Sequence, residues 1–290
     1  MGNKDTSFQK TRPLRVGEKL FSFDNPLIMG ILNLTPDSFY DGGKYKDADD
    51  WVSQTRKMLD EGADIIDLGA MSTRPGAEMI DEDEELKRLL RPLRLLKREF
   101  PKALFSIDTF RSRVASRCVQ EGASLINDVS GGNLDAKMFS VVASLGVPYI
   151  LMHMQGTPKV MQQEPITEAI VRKIHAFFRE KVSRLRDEGV EDIILDPGFG
   201  FGKSLDCNYA LLQHLGDVRI DDLPLLVGVS RKSMINKVLN TTPAEALNGT
   251  TVLHTLAVLS GANILRVHDV KEAREVLSIL RQYKNHQCGN

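Results

Sequence analysis

Apolar residues along this chain come in short, dense bursts. Eight runs recur: LIMGILNL (27–34), DIIDLG (64–69), ALFSIDT (103–109), SLINDV (124–129), PYILMH (148–153), DIILDP (192–197), PLLVGV (224–229) and NILRVH (263–268). Each is too short for a helix and rich in Ile, Leu and Val. None alternates apolar with polar as a half-exposed strand does, so the runs predict parallel strands covered on both faces. Between them, apolar residues repeat at helical spacing over 48–61, 81–99, 111–121, 135–145, 166–188, 206–215, 243–259 and 271–283. "EGAD", "EGAS", "EGVED" and "SGAN" set a glycine where a helix must stop before the next strand. Eight β/α units make a closed (β/α)8 TIM barrel over 14–284 the economical fold, with a doubly wound open sheet as competitor. Ahead of them, LRVGEKLFSF (14–23) predicts a short N-terminal β-hairpin turning near Gly17 and plugging the barrel bottom. Residues 1–13 read as a flexible N-terminus and 285–290 as a frayed tail, with no internal linker.

Composition narrows the function classes. A formal net charge of −1 offers no field to draw nucleic acid or an anionic membrane. The three cysteines, Cys118, Cys207 and Cys288, form no CxxC or Cys/His cluster; their odd number and the absence of an apolar leader fit a reducing cytoplasm. No run approaches the length of a membrane span.

Candidate chemistry gathers where the apolar runs end, which in such a barrel is the active-site rim. The ends read Asn33, Asp67, Asp108, Asn127 with Asp128, His153, Asp196, then Ser230, Arg231 and Lys232, and finally Arg266 with His268. A single Asp or Asn there is ordinary turn chemistry. Eight polar ends at once point to a shared site. Arg266 and His268 face the same way on a strand and suit phosphate oxygens. The loops TPDSFYDGG (35–43) and GAMSTRPGAEM (69–79) have the composition of segments that close over a ligand. PGFGFGKS (197–204) is no phosphate loop, because Gly198 and Gly202 are separated by three residues where four are needed. His254 sits in an apolar helical run and reads as a core or interface histidine. TTVLHTLAVL (250–259) fits core packing and a dimer face equally.

"GILNLTPDSFYDGG", "IIDLGAMSTRPGA", "SIDT", "INDVSGG", "LMHMQGTP", "DPGFGFGKS", "VGVSRKS" and "RVHDV" follow one another in the order and spacing of the dihydropteroate synthase family, which the chain resembles from about Leu14 to Tyr283. The resemblance implies condensation of 6-hydroxymethyl-7,8-dihydropterin diphosphate with 4-aminobenzoate to 7,8-dihydropteroate and diphosphate. It further implies Mg²⁺ as cofactor, a homodimer and sulfonamides as inhibitors. On it, Asp196 would accept from the pterin's amidine edge, Asn127 and Asp108 would pair the remaining ring nitrogens, and Lys232 would donate from the other side. Met152 and Gly228 join this substrate-binding set. Arg266 and His268 would take the diphosphate, with Mg²⁺ held by Asn33, while Asp37, in a loop with Phe39 and Asp41, would close over it. The second substrate would lie among Thr73, Arg74, Pro75, Phe199, Lys232 and Ser233, its carboxylate near Ser233 and a helix N-terminus. Lys232, Asp37, Arg266 and His268 are the residues to which the resemblance assigns catalysis.

Ala70, Met71 and Tyr40 depart from the commonest family wording, which bears on inhibitor response. Rival readings are a pterin-binding methyltransferase using methyltetrahydrofolate, which has no need of the Arg266/His268 pair, and a catalytically silent pterin-binding paralogue. A phosphate-binding barrel isomerase is third, and no lone glutamate base closes a strand.

Overall fold

Parallel strands form where the apolar runs lie. The computed structural model describes residues 11–17, 19–34, 46–70, 80–156, 161 and 163–285. A hairpin of β1 (Leu14–Val16) and β2 (Lys19–Phe21) precedes β3 (Leu27–Asn33), β4 (Ile65–Gly69), β5 (Leu104–Asp108), β6 (Leu125–Asp128), β7 (Tyr149–Met152), β8 (Ile193–Asp196), β9 (Leu226–Val227) and β10 (Ile264–Val267). The ladder runs β8-β7-β6-β5-β4-β3-β10-β9. Its two ends meet through one bridge, Leu195 to Leu225, with the Leu195 N–H donating to Pro224 O at 2.9 Å. The result is a nearly closed (β/α)8 barrel, as the run count predicts.

The outer ring consists of α1 (Lys46–Asp60), α2 (Glu82–Glu99), α3 (Ser112–Gln120), α4 (Met138–Leu145), α5 (Ile170–Asp187), α6 (Leu205–Gln213), α7 (Ser233–Leu239), α8 (Leu247–Leu259) and α9 (Val270–Asn285). The glycines closing four of the helix-to-strand turns, Gly62, Gly122, Gly189 and Gly261, have φ between 92° and 102°, which explains their repetition. The helical spacing does not reveal α7, and it starts α5 four residues early. Ile166 instead bridges to Lys203 and belongs to a loop. Residues 1–10 and 286–290, most of the expected flexible ends, lie outside the described residues. Arg12, inside the expected flexible stretch, donates its N–H to Asp222 O at 2.8 Å.

Two apolar layers result from the strand pleat, since successive side chains point to opposite faces. Outward residues such as Ile66, Ile107 and Leu195 pack against the helices. Inward residues Leu27, Met29, Ile65, Leu125, Ile150, Ile194, Leu226 and Ile264 fill the lower barrel, and Leu14 and Val16 of the hairpin join that cluster with Phe21 and Phe23 beside it. The hairpin is the expected plug. No helix among the described residues is long and apolar enough to cross a membrane.

Candidate active site

One step further along the strands, the inward positions change from apolar to polar. Asp67, Asp108, Asn127 and Asp196 are all buried there. Arg266 ties three strands together: its Nε donates to Asp67 Oδ2 at 2.7 Å and its Nη2 to Asp108 Oδ2 at 3.0 Å. Asn127 Nδ2 donates to the same Asp67 oxygen at 3.0 Å. Burial, opposed by Arg266 and reinforced by Asp67, pushes Asp108 up to about 7. Two acceptors in this network, Asp67 Oδ1 and Asn127 Oδ1, are buried without a hydrogen-bond partner. Buried acceptors of that kind suit a ligand that brings its own N–H groups.

Lys232 and Asp196 form the adjoining wall. Lys232 Nζ donates to Phe199 O at 2.5 Å and lies 4.7 Å from the centre of the Phe201 ring. A Cβ built on Gly228 would stand 3.9 Å from that ammonium and 3.8 Å from Arg266 Cβ, which sets Gly228 against both cationic side chains. Burial lowers Lys232 to about 8, against the pull of Asp196. Burial raises Asp196 in turn, opposed by Lys232 and by the Gly198 N–H that donates to its Oδ1 at 2.7 Å. Gly198 has φ 68°, and a Cβ there would lie 2.0 Å from His153 O, so only glycine carries the chain through this turn. Met152 pairs with Asp196 in the ladder and is buried beside the turn.

Asn33 stands at the exposed end of β3. A Cβ on Gly69 would be 3.8 Å from Asn33 Oδ1 and 3.9 Å from Asp108 Oδ2, which places the amide oxygen next to the carboxylate cluster. His268 lies just beyond β10 with its Nδ1 3.0 Å from Ser230 Oγ. Desolvation of the ring, then the Arg266 charge, hold His268 down to about 4. Ser233 is exposed at the first position of α7. Asp37, Phe39, Asp41, Thr73, Arg74 and Pro75 lie outside the described residues.

Four expectations need correcting. The Phe199 side chain is fully buried in the layer between strands and helices, so its carbonyl, and not its ring, faces Lys232. Asp128, adjacent to Asn127, points outward: its carboxylate accepts from Ser130 N at 2.7 Å, Gly132 N at 2.8 Å and Tyr149 OH at 2.6 Å, which fixes a turn. His153 likewise turns away and meets the Phe177 ring edge-on at 4.9 Å. Arg266, read as a free anion grip, is already paired with two carboxylates, so an arriving anion must compete with them.

Two residues carry more than their sequence context suggests. Asp67 is the hub of the network, yet "IIDLG" looks like any strand end. Lys203 is buried and donates to Gly198 O at 2.6 Å, Phe201 O at 3.1 Å and His153 O at 3.3 Å, clamping the glycine-rich turn. Burial lowers it to about 7 although Asp196 supports its charge. Its only signal is a lone lysine in a glycine-rich stretch. Among the described residues, no three His, Cys, Asp or Glu side chains converge to hold a metal. Asn33 Oδ1 with Asp108 nearby offers a hard-oxygen foothold, the kind that suits a Mg²⁺ ion keeping most of its ligands as water and substrate phosphate.

Residues 29–268 match the model of the family described as "Pterin binding enzyme". Dihydropteroate synthase of Escherichia coli strain K12 is 42% identical over 262 residues, 88% of this chain and 91% of that protein. The structure of Xanthomonas albilineans dihydropteroate synthase with 4-aminobenzoic acid superposes with a TM-score of 0.88 at 34% identity, over 95% of this chain and 99% of that one. Burkholderia cenocepacia dihydropteroate synthase complexed with 7,8-dihydropteroate gives 0.85 at 37%, over 95% and 97%.

Proposed function

The chain belongs to the dihydropteroate synthase family of pterin binding enzymes, and from that membership we propose that its barrel mouth joins 6-hydroxymethyl-7,8-dihydropterin diphosphate to 4-aminobenzoate, giving 7,8-dihydropteroate and diphosphate. The observation that carries this reading is the set of unlike polar groups at one rim: buried Asp196 with half-buried Lys232, beside the unpartnered oxygens of Asp67 and Asn127. A flat heterocycle with several N–H groups and a carbonyl needs that mixture, because every polar atom it buries must be paired. Asp196 would accept from the amidine edge, Asp108 and Asn127 from ring nitrogens, and Lys232 would donate to the carbonyl side.

At the methylene carbon, the C–O bond breaks with its electron pair leaving on diphosphate. The electron-rich ring spreads the resulting positive charge until the amine lone pair forms the new C–N bond and sheds a proton. Positioning and charge stabilisation carry such a step more than a strong base does. Arg266 and His268 would receive the leaving group, and phosphate near His268 would raise its pKa from about 4 and favour the charged imidazolium. Asn33 would hold Mg²⁺, whose charge would offset that of the diphosphate. The aminobenzoate carboxylate would lie by Ser233, with Thr73, Arg74 and Pro75 on its other side and Asp37 closing from the first loop. Inhibition by sulfonamides follows the same subsite.

We also read the chain as a cytoplasmic homodimer. Both described cysteines, Cys118 and Cys207, are free and buried. α8 is apolar on both sides: Leu253, Ala257 and Val258 pack inward, while Val252, Leu256 and Leu259 are 44–50% exposed, next to Val238 and Leu239 of α7. An exposed apolar stripe of that extent favours burial against a second copy. Leu256→Asp should shift the mass in solution, by light scattering, from dimer to monomer. The test of the activity is Mg²⁺-dependent diphosphate release that requires both substrates; absence of 7,8-dihydropteroate with both substrates and metal present would refute it.

A further inference from the structure

The central lysine follows the shortest of the barrel's described strands. β9 is two residues long and ends at Val227, five positions before Lys232, so no ladder fixes where that side chain goes. The turn between them is held from outside. Arg231 has φ 54°, a left-handed backbone that is strained for a residue with a Cβ. Its guanidinium grips Asp269 at both carboxylate oxygens, Nε to Oδ2 at 2.9 Å and Nη2 to Oδ1 at 2.8 Å. Nη1 reaches Pro243 O at 2.8 Å and Ala244 O at 3.0 Å, and the Arg231 N–H donates to Thr250 Oγ1 at 3.0 Å. One residue earlier, Ser230 Oγ takes the His268 N–H at 3.3 Å and lies 3.0 Å from His268 Nδ1. Ser230 and Arg231 are thus stitched in register to His268 and Asp269, and the two site residues Lys232 and His268 flank the seam.

We propose that the Arg231–Asp269 pair is a positioning clamp for the reaction, holding the left-handed turn that aims Lys232 into the mouth and keeping the loops after β9 and β10 in register. The inference rests on the site reading above, in which Lys232 meets the pterin. Arg231 is largely committed as a donor, because four of its five guanidinium N–H groups go to Asp269, Pro243 and Ala244. The pair is only part-buried, with side chains 25% and 18% exposed, so its geometric fork matters more than its bare charge.

The test is a double-mutant cycle with Lys232 on the full chain, read as kcat and KM in the diphosphate-release assay and as 7,8-dihydropteroate binding by calorimetry. Arg231→Gly removes the clamp while glycine still accepts the left-handed backbone, and Arg231→Lys keeps the charge without the fork. Expected is a loss in kcat/KM of about 30-fold for Arg231→Gly and about 10-fold for Arg231→Lys, with the KM of the pterin substrate rising more than that of 4-aminobenzoate. In a Lys232→Ala background the same Arg231→Gly change should cost less than about 3-fold, because the group it positions is gone. If Arg231→Gly fails to give a melting transition, Asp269→Asn decides by the same cycle. Equal losses in both backgrounds, or a near-wild-type Arg231→Gly, would overturn the clamp. An inactive wild-type chain would instead refute the site reading, so the two failures are separable.

Discussion

The two halves of each barrel strand lie one pleat apart and are chemically opposite. The floor, with Ile65, Leu125, Ile150, Ile194 and Ile264 under the Leu14/Val16 plug, is dry and apolar. The mouth, with Asp67, Asp108, Asn127 and Asp196 on the same strands, buries carboxylates next to one another. Like charges brought together under burial oppose folding, and Arg266, Lys232 and, at Asp196, Lys203 and the Gly198 N–H offset them. The difference teaches that the floor supplies stability which the mouth uses to hold a ligand-shaped arrangement of unpaired oxygens.

Separating the two by mutation should give opposite signatures. The largest effect is expected at Asp196→Asn. Its amide would present N–H groups to a pterin edge that also donates, so kcat/KM should fall about 1,000-fold while the melting temperature does not fall. A loss under tenfold would remove Asp196 from the site. Next, Ile150→Ala, at a fully buried floor position, should lower unfolding free energy by about 2–4 kcal/mol in urea titration with turnover per folded molecule kept. Lost turnover in the folded variant would show that floor and mouth are not separable.

Smaller effects appear as slopes with pH. Asp108 is raised in the fold from 3.8 to about 7, so between those values the native state binds more protons than the unfolded chain. Stability from this group is therefore greatest below pH 3.8 and falls as pH rises towards 7. His254, buried in α8, is lowered from 6.5 to about 4 by burial, despite Asp269, with His268 adding to the shift; His153 is lowered further, to about 3, by burial and then Lys203. For them the unfolded chain binds more protons, so stability is full above 6.5 and is lost on acidification. The two slopes oppose each other between about 4 and 6.5. Asp108→Asn should expose the histidine slope, with stability rising with pH across that interval in melts at stepped pH. His254→Met should weaken that rise in the Asp108→Asn background, the smallest of these effects. Unchanged slopes would show that Asp108 and His254 do not keep the protonation states their burial implies.

Much of the architecture was legible because a parallel strand covered on both faces leaves an unbroken Ile/Leu/Val run, and all eight runs became strands. α7 was missed because seven residues, SMINKVL, show barely two turns of periodicity directly after a loop. The site was legible as a set of strand ends but not as orientations. Asn127 and Asp128 are neighbours in sequence and equally polar, yet the pleat sends one into the mouth and the other to a turn; only the register decides which. Phe199 shows the same limit, since its place in the glycine-rich turn says nothing of its side chain packing into the helix layer while its carbonyl meets Lys232. The Arg231–Asp269 pair joins residues 38 apart, a distance over which local pattern says nothing.

The plug has a kinetic consequence. Leu14, Arg15 and Val16 precede every barrel strand, yet the Arg15 N–H binds Asp192 Oδ1 at 3.0 Å, 177 positions along the chain, and Asn263 Nδ2 donates to Thr11 Oγ1 across 252. Contacts that span most of a polypeptide close loops at high entropic cost and slow the approach to the native state. The hairpin can complete its seal only once the turns around Asp192 and Asn263, ahead of β8 and β10, have come to meet it.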